Sequence, residues 1–342
     1  MSEEEEEKYL LSEENFRPIC IPIVGGPGSG KTALLSAFIN IVSGLSERCG
    51  WDVKEYNNKG ESDYQNYQKY ISDLFVLGAS FPTNFLLKKE CKNLKRNSVI
   101  PLRLIISGKE FNKRRSVLLY DVAGESFTGA SDVEIQRQFQ FCNGLIIVVD
   151  PFNIESVHSK YYKNLCEYDS IAINNAENSY YIPYSTDEII NNLINSLHDL
   201  TGLPLTESLK IPTAVVITKT DAEGLKDLLG PDAIKDFMKR NNIEDKLENE
   251  MDVEDHICRK FLCDNGLANE VNIIDMKFPN NRYFSFSAIG HPTQDNNKEV
   301  VGYFKPIRII ELILWLFNQI DPDTKKKWNY IKYTNIPRYR DK

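Results

Sequence analysis

Residues 19–24 (ICIPIV) form an unbroken apolar run that passes directly into Gly25-Gly26-Pro27-Gly28-Ser29-Gly30-Lys31-Thr32, and this into a helix-like run from Ala33 onward. No other stretch restricts the fold so tightly. An unbroken apolar run suits a strand covered on both faces, the environment of a parallel sheet. The glycines let the backbone turn sharply and bring its N–H groups close to a bound group. The helix that follows aims its unpaired N–H groups and its dipole into the same turn, so an anion is what fits. Spaced as Gly25-x-x-x-x-Gly30-Lys31-Thr32, the loop cradles phosphates, with Lys31 reaching the β and γ positions and the Thr32 hydroxyl placed to ligate Mg²⁺. Gly26, Pro27, Gly28, Ser29 and Ala33 complete the phosphate-binding set. The loop specifies a nucleoside triphosphate and leaves the base open.

The rest of the chain supplies a sheet for this unit. Strand-like runs occur at residues 19–24, 99–107, 116–121, 144–150, 213–218 and 282–287, and helical patterns at 31–44, 133–141, 186–200, 225–239 and 306–320. Such alternation predicts an α/β fold, a P-loop NTPase three-layer sandwich around a mostly parallel, six-stranded sheet. Only GKEFNKRR separates the second and third runs, too short for a crossover helix. That pair is therefore expected as an antiparallel hairpin, giving the sheet one antiparallel strand. Two long spacers, 153–209 and 222–277, read as helical insertions in one domain, 18–320. An acidic N-terminal tail, 1–17, and a basic, aromatic C-terminal tail, 321–342, flank it.

Composition acts as a filter. The chain has 342 residues and a net charge of −8, with 42% hydrophobic and 26% charged residues. The excess of acid excludes a general nucleic-acid binder, which needs a basic face. The first residues are acidic rather than basic-then-apolar, so no secretory signal is visible. The most apolar late run, IIELILWLF at 309–317, is too short to span a bilayer. The seven cysteines are scattered without a CxxC, so free thiols in a reducing cytoplasm are expected. Cys258 and Cys263 with His256 read as a helix face rather than a metal site. Both tails read as solvated, the basic one with the alternative of docking on an acidic partner or membrane surface.

Three further stretches stand at strand ends. In SVLLYDVAGES, 116–126, an apolar strand runs into Asp121 and Gly124. A carboxylate there, beside the phosphate loop, can hold Mg²⁺ through a water, and the Gly124 N–H can sense a γ phosphate. In AVVITKTDAEG, 214–224, a strand runs into Thr218-Lys219-Thr220-Asp221. The Asp221 carboxylate can accept from both the N1–H and the N2–H₂ of guanine, a donor pair that adenine lacks, while the Lys219 stem packs along base and ribose. The plainer alternative is an aspartate capping the next helix. In YFSFSAIG, 283–290, the last strand ends in Ser287-Ala288, where the Ala288 N–H can meet the guanine O6.

Together the four stretches resemble the G1, G3, G4 and G5 boxes of Ras-like, TRAFAC-class P-loop GTPases, and the early hairpin is their topology too. DVAGES, CNGLIIVVDP, AVVITKTD, FSFSAIGHP and IIELILWLF look like the bacterial double-GTPase family, which is associated with multi-gene conflict or defence systems. The resemblance runs from about residue 19 to residue 320. It implies that Gly25 to Thr32 bind phosphates and Mg²⁺, and that Asp121 to Gly124 open switch II. Thr218, Lys219 and Asp221 would bind guanine, with Ser287 and Ala288 closing over it. It also implies a switch I threonine that completes the Mg²⁺ shell with Thr32 and Asp121. Thr83 in LGASFPTNF is the candidate, and Ser80 and Ser98 are alternatives. One departure is Glu125, where Ras-like proteins commonly carry the glutamine that orients the attacking water. Glu125 is either a base or water holder, or it points to solvent. With no visible arginine finger, turnover is expected to be slow or to need a partner in trans.

The expectation is a cytoplasmic, Mg²⁺-dependent GTP-binding switch that hydrolyses GTP to GDP and phosphate. Lys31, Thr32, Thr83, Gly124 and Glu125 form its catalytic set. A protein partner is expected at the switch loops or insertions, with no nucleic acid and no transmembrane segment. Two rivals stay open. One is a GTP-binding adaptor that does not hydrolyse, kept alive by Glu125. The other is a P-loop ATPase or nucleotide kinase, which leaves TKTD without work.

Overall fold

The computed structural model describes residues 19–26, 28–49, 51–55, 102–108, 115–123, 139, 142–161, 186–290 and 305–320. Its elements are, in chain order, β1 (Ile19–Gly25), α1 (Lys31–Cys49), β2 (Trp51–Glu55), β3 (Leu102–Gly108), β4 (Arg115–Ala123) and β5 (Leu145–Val149). Then come α2 (Glu155–Tyr161), α3 (Thr186–Thr201), β6 (Thr213–Ile217), α4 (Lys226–Leu229), α5 (Pro231–Arg240) and α6 (Leu247–Leu262). Last are α7 (Ala268–Lys277), β7 (Asn281–Ser285) and α8 (Ile309–Ile320).

Among the described residues seven strands form one sheet, in the order β2-β3-β4-β1-β5-β6-β7. β4, β1, β5, β6 and β7 are mutually parallel. β3 runs antiparallel to both of its neighbours. The six-stranded expectation is thus one strand short. The strand it lacks, β2, reads WDVKE and lies at a sheet edge. An edge strand has a single neighbour and needs no continuous apolar run, so its pattern is weak.

Other boundaries move for local reasons. α1 continues to Cys49, beyond Gly44 where its pattern weakens. The helix expected over 225–239 is two helices, broken at Gly230, whose N–H caps α4 on Lys226 O while Pro231 opens α5. The last helix begins at Ile309 rather than 306, because Ile307 is engaged in a β-bridge with Ser287. The helix expected over 133–141 lies outside the described residues apart from Phe139.

Strand side chains alternate between two apolar layers, as the pleat requires. Ile21, Ile23, Ile146, Val148, Ala214 and Val216 join Leu34, Leu35 and Phe38 of α1 and Leu312, Leu316 and Phe317 of α8. The rings of Phe38 and Phe317 lie 6.3 Å apart and tie the two helices together. Val24, Ile147, Val149, Val215 and Ile217 join the opposite layer, with Ile190 and Leu193 of α3, Phe261 of α6 and Ile274 of α7. Each Val, Leu, Ile or Phe side chain withdrawn from water contributes about 1.5–3 kcal/mol before chain entropy is set against it.

The far edge of the sheet is covered rather than paired. α6 lies along β7, where Asp255 Oδ1 accepts from the Tyr283 N–H at 2.8 Å and Glu254 Oε1 from the Ser285 N–H at 2.9 Å. These carboxylates replace the carbonyls of a further strand and keep the edge from pairing with another chain. Arg259 fastens the arrangement, bonding Asp255 at 2.7 Å and Asn281 at 2.6 Å and lying 4.2 Å over the Tyr283 ring. No helix among the described residues is long and apolar enough to cross a membrane.

Candidate functional site

β1 delivers the phosphate loop to the end of the sheet, and α1 starts within it at Lys31. Gly25 is required by packing: a Cβ there would lie 2.6 Å from the Val148 carbonyl oxygen of β5. Gly28 and Gly30 are required by conformation, with φ of +69° and +90°. The Ser29 N–H donates to Gly26 O at 3.2 Å and the Leu34 N–H to Gly30 O at 2.8 Å, which turns the loop into the helix. Lys31 is only 5% exposed, and its ammonium donates to the carbonyls of Gly25 and Gly26 at 2.8 Å each. The loop thus holds a buried cation at its own mouth. The Ser29 hydroxyl is buried there without a hydrogen-bond partner. An orphaned polar atom, a buried ammonium and the N-terminus of α1 together suit an anion. Thr32 and Ala33 are half-buried at the start of the helix.

The loop after β6 is joined to this cradle. The Thr218 hydroxyl donates to Ser29 O at 2.8 Å and to Val149 O at 3.3 Å, so it looks into the phosphate loop. Lys219 takes φ +57°, and its ammonium pairs with Asp150 Oδ2 at 3.0 Å, 6.0 Å from the centroid of the Phe152 ring. The other oxygen of Asp150 accepts from the Phe152 N–H at 3.0 Å and caps the short turn Pro151–Asn153. Asp221 is buried at 8% exposure. The Thr220 N–H donates to Phe286 O at 3.3 Å, tying this loop to the one after β7. There the Ser287 hydroxyl accepts from the N–H groups of Ile289 and Gly290, at 3.2 and 2.8 Å, and folds the turn that carries Ala288.

The glycine-rich loop after β1 and the TKTD loop after β6, joined by the Thr218–Ser29 bond, stand at the ends of two parallel strands. The model of the Double-GTPase 2 family matches residues 19–260. The chain belongs to this family. No curated protein matches its sequence. In three dimensions it is similar to the S. cerevisiae Ski7 GTPase-like domain bound to GTP, at 11% identity and a TM-score of 0.38, covering 92% of this chain and 52% of that one. It is also similar to bacterial selenocysteine-specific elongation factor EF-Sec, at 13% identity and a TM-score of 0.25, covering 67% of this chain and 25% of that one. A third likeness is to the signal recognition particle receptor SRb-GTP/SRX complex from Chaetomium thermophilum, at 12% identity and a TM-score of 0.30, covering 83% and 95%. The chain spans about half or less of the length of the first two.

The structure brings Gly25, Gly26, Gly28, Ser29, Gly30, Lys31 and Thr32 into one loop and Thr218, Lys219 and Asp221 beside it, with Ser287 and Ala288 on the adjoining turn. Asp121 is placed by register: it pairs with Ile23, and Ala123 pairs with Gly25, so the end of β4 runs beside the start of the phosphate loop. Pro27, Ser80, Thr83, Ser98, Gly124 and Glu125 lie outside the described residues. Cys258 is buried in α6 and Cys263 exposed just beyond it, both free thiols. Among the described residues no three His, Cys, Asp or Glu side chains gather to hold a metal. The residue that sequence reasoning missed is Asp150, the anchor of Lys219. Its signal was an acid ending the buried run LIIVV, directly before Pro151.

Proposed function

We propose that this protein binds Mg²⁺–GTP, hydrolyses it to GDP and phosphate, and works as a nucleotide-dependent switch. The observation that supports this best is the joint between its two loops, the Thr218 hydroxyl on the Ser29 carbonyl at 2.8 Å. It holds a phosphate cradle and a loop ending in a buried carboxylate in one fixed relation. In this reading the N–H groups around Gly28 to Thr32 bind the phosphates. Lys31, held by the carbonyls of Gly25 and Gly26, neutralises their charge. Asp221 accepts from the guanine edge, and the Lys219 stem, drawn toward Asp150, flanks the base. Ser287 shapes the turn from which the Ala288 N–H meets O6.

Thr32, Asp121 and Thr83 would hold Mg²⁺, a hard cation that hydroxyl and carboxylate oxygens suit. Bound there, the ion would offset charge developing on the γ phosphate. Water attacks that phosphate in line, with Gly124 and Glu125 at the start of switch II as this chain's groups for sensing the phosphate and holding the water. Loops ordered by the γ phosphate and released on hydrolysis form the switch, read by a protein partner at the switch loops or insertions. Turnover is slow without that partner. The protein works in a bacterial cytoplasm, in a conflict or defence system, as the family resemblance implies.

The test is binding of labelled GTP, ATP and XTP with Mg²⁺ to the wild type and to Asp221→Asn. Wild type should prefer GTP. Asparagine cannot accept from both guanine donors and tolerates xanthine, so the variant should move toward XTP. Equal binding of ATP by the wild type, with no change in the variant, would overturn the reading in favour of a P-loop ATPase or kinase. Glu125 in the place of glutamine favours a second reading, a GTP-binding adaptor without turnover. Phosphate release in a single-turnover assay separates the two.

A further inference from the structure

The turn that carries Ala288 is held from behind by a buried ion pair. Arg308 stands directly before α8, is 6% exposed, and takes φ +62°, a left-handed conformation unfavourable for a residue with a side chain. One guanidinium nitrogen, Nη2, donates to Glu254 Oε2 at 2.7 Å, and Nη1 donates to Glu250 Oε1 at 2.6 Å. Glu254, on α6, is fully buried, and its Oε1 accepts from both the N–H and the hydroxyl of Ser285, each at 2.9 Å. One carboxylate thus joins the end of β7 to the residue that opens α8. Burial pushes Glu254 up and the guanidinium of Arg308 pulls it back. Each of its three hydrogen bonds comes from a donor, the pattern of an ionised carboxylate.

Both ends of this bridge lead into the Ala288 turn. Ser285 leads through Phe286 into Ser287. Arg308 follows Ile307, whose N–H donates to Ser287 O at 2.8 Å. The Lys305 N–H donates to Ile289 O at 3.0 Å on the far side of the same turn. A buried ion pair is expensive to desolvate and is a poor stabiliser for its cost. What it supplies is a fixed distance and direction, here between the two backbone segments that frame residues 287–290.

We propose that Glu254 and Arg308 are positioning residues for base selection, holding the Ala288 N–H where it meets the guanine O6 without touching the nucleotide themselves. This rests on the reading of Ser287 and Ala288 as the base-closing turn. It makes α6 part of the machinery that chooses the base.

The experiment uses the full chain and compares GTP with 6-thio-GTP, which keeps the N1–H and N2–H₂ edge seen by Asp221 and replaces only O6. Wild type should prefer GTP by about tenfold, the worth of one well-placed hydrogen bond. In Glu254→Gln and Arg308→Lys the preference should shrink to about twofold, because the N–H is no longer held on target. Loss of affinity for both nucleotides with the ratio intact would mean a purely structural pair and would overturn the proposal. Ser285→Ala removes the hydroxyl by which Glu254 grips the end of β7, so the pair loses part of its hold on the turn and the ratio should fall there too; this variant carries the test should the charge variants fail to fold. An unchanged ratio in that folded variant would equally overturn it. Asp221→Asn with XTP runs in parallel. If it shifts to XTP while the 6-thio ratio never moves, this proposal falls alone; if it does not shift, the base reading falls and takes this proposal with it.

Discussion

Asp150 divides its carboxylate between two loops, one oxygen capping the turn at Phe152 and the other holding Lys219. Asparagine in its place keeps an oxygen for the cap and drops the charge. Asp150→Asn should weaken GTP binding roughly threefold, or ~0.7 kcal/mol, kept small because Lys219 is part-exposed and its charge is screened. Isothermal titration checks this, and unchanged affinity would show that Lys219 does not depend on the anchor. Gly30 offers a harsher test at the same scale. At φ +90° an added methyl group has space, its nearest neighbour being Thr218 Cγ2 at 3.6 Å, yet the backbone conformation disfavours it. Gly30→Ala should cost ~1–2 kcal/mol in urea unfolding and abolish triphosphate binding as the loop relaxes away from its left-handed turn.

Two elements carry predictions of their own. Along β7, Asp255 satisfies the Tyr283 N–H and also holds Arg259. Asp255→Ala leaves a strand donor without its acceptor, and urea unfolding should show a loss of about 1–3 kcal/mol. Across β1 and β4 the issue is protons. Burial pushes Cys20 up from its ordinary 9.0; it also pushes Tyr120 up from 10.0 to about 12, helped by the nearby Cys20 and a hydrogen bond between the two side chains. The folded state holds these protons more tightly than the unfolded chain, so their contribution is complete below pH 9 and drains away as pH rises toward 12. Thermal midpoints should fall along that limb. Tyr120→Phe should make that fall shallower between pH 10 and 12 by the share Tyr120 contributes, the rest coming from Cys142, Cys258 and Tyr283, which burial also pushes up. A limb of unchanged slope would assign the alkaline loss to other groups.

At the scale of the whole molecule, a nucleotide that binds only the folded chain must raise its melting temperature. With Mg²⁺–GTP at a hundredfold excess over Kd the gain is ~2.7 kcal/mol, which for a chain of this size is a shift of roughly 3–5 °C. ATP should give little shift, and chelating Mg²⁺ should remove most of the GTP effect. Scanning calorimetry with the two nucleotides, with and without EDTA, decides it. Equal shifts from ATP and GTP would remove the role assigned to Asp221.

Much of this was written locally in the chain. A glycine-rich loop after a buried strand, TKTD after AVVI, and Ser-Ala after YFSF each carry their meaning within a few neighbouring residues. The unbroken apolar runs of the central strands, likewise local, determined a core with a layer on each face of the sheet. β2 escaped notice because an edge strand needs no apolar signature, and the break at Gly230 because one helical stripe continues across it. The side-chain pairs that hold the site lay beyond any local pattern. Asp150 and Lys219 are 69 residues apart, Glu254 and Arg308 are 54 apart, and Thr218 and Ser29 are 189 apart. By itself the sequence determined which chemistry is present and on which strand end it stands. Only the tertiary structure decided which carboxylate meets which cation, because that depends on the order of strands in the sheet and on the distance over which a charged hydrogen bond can form.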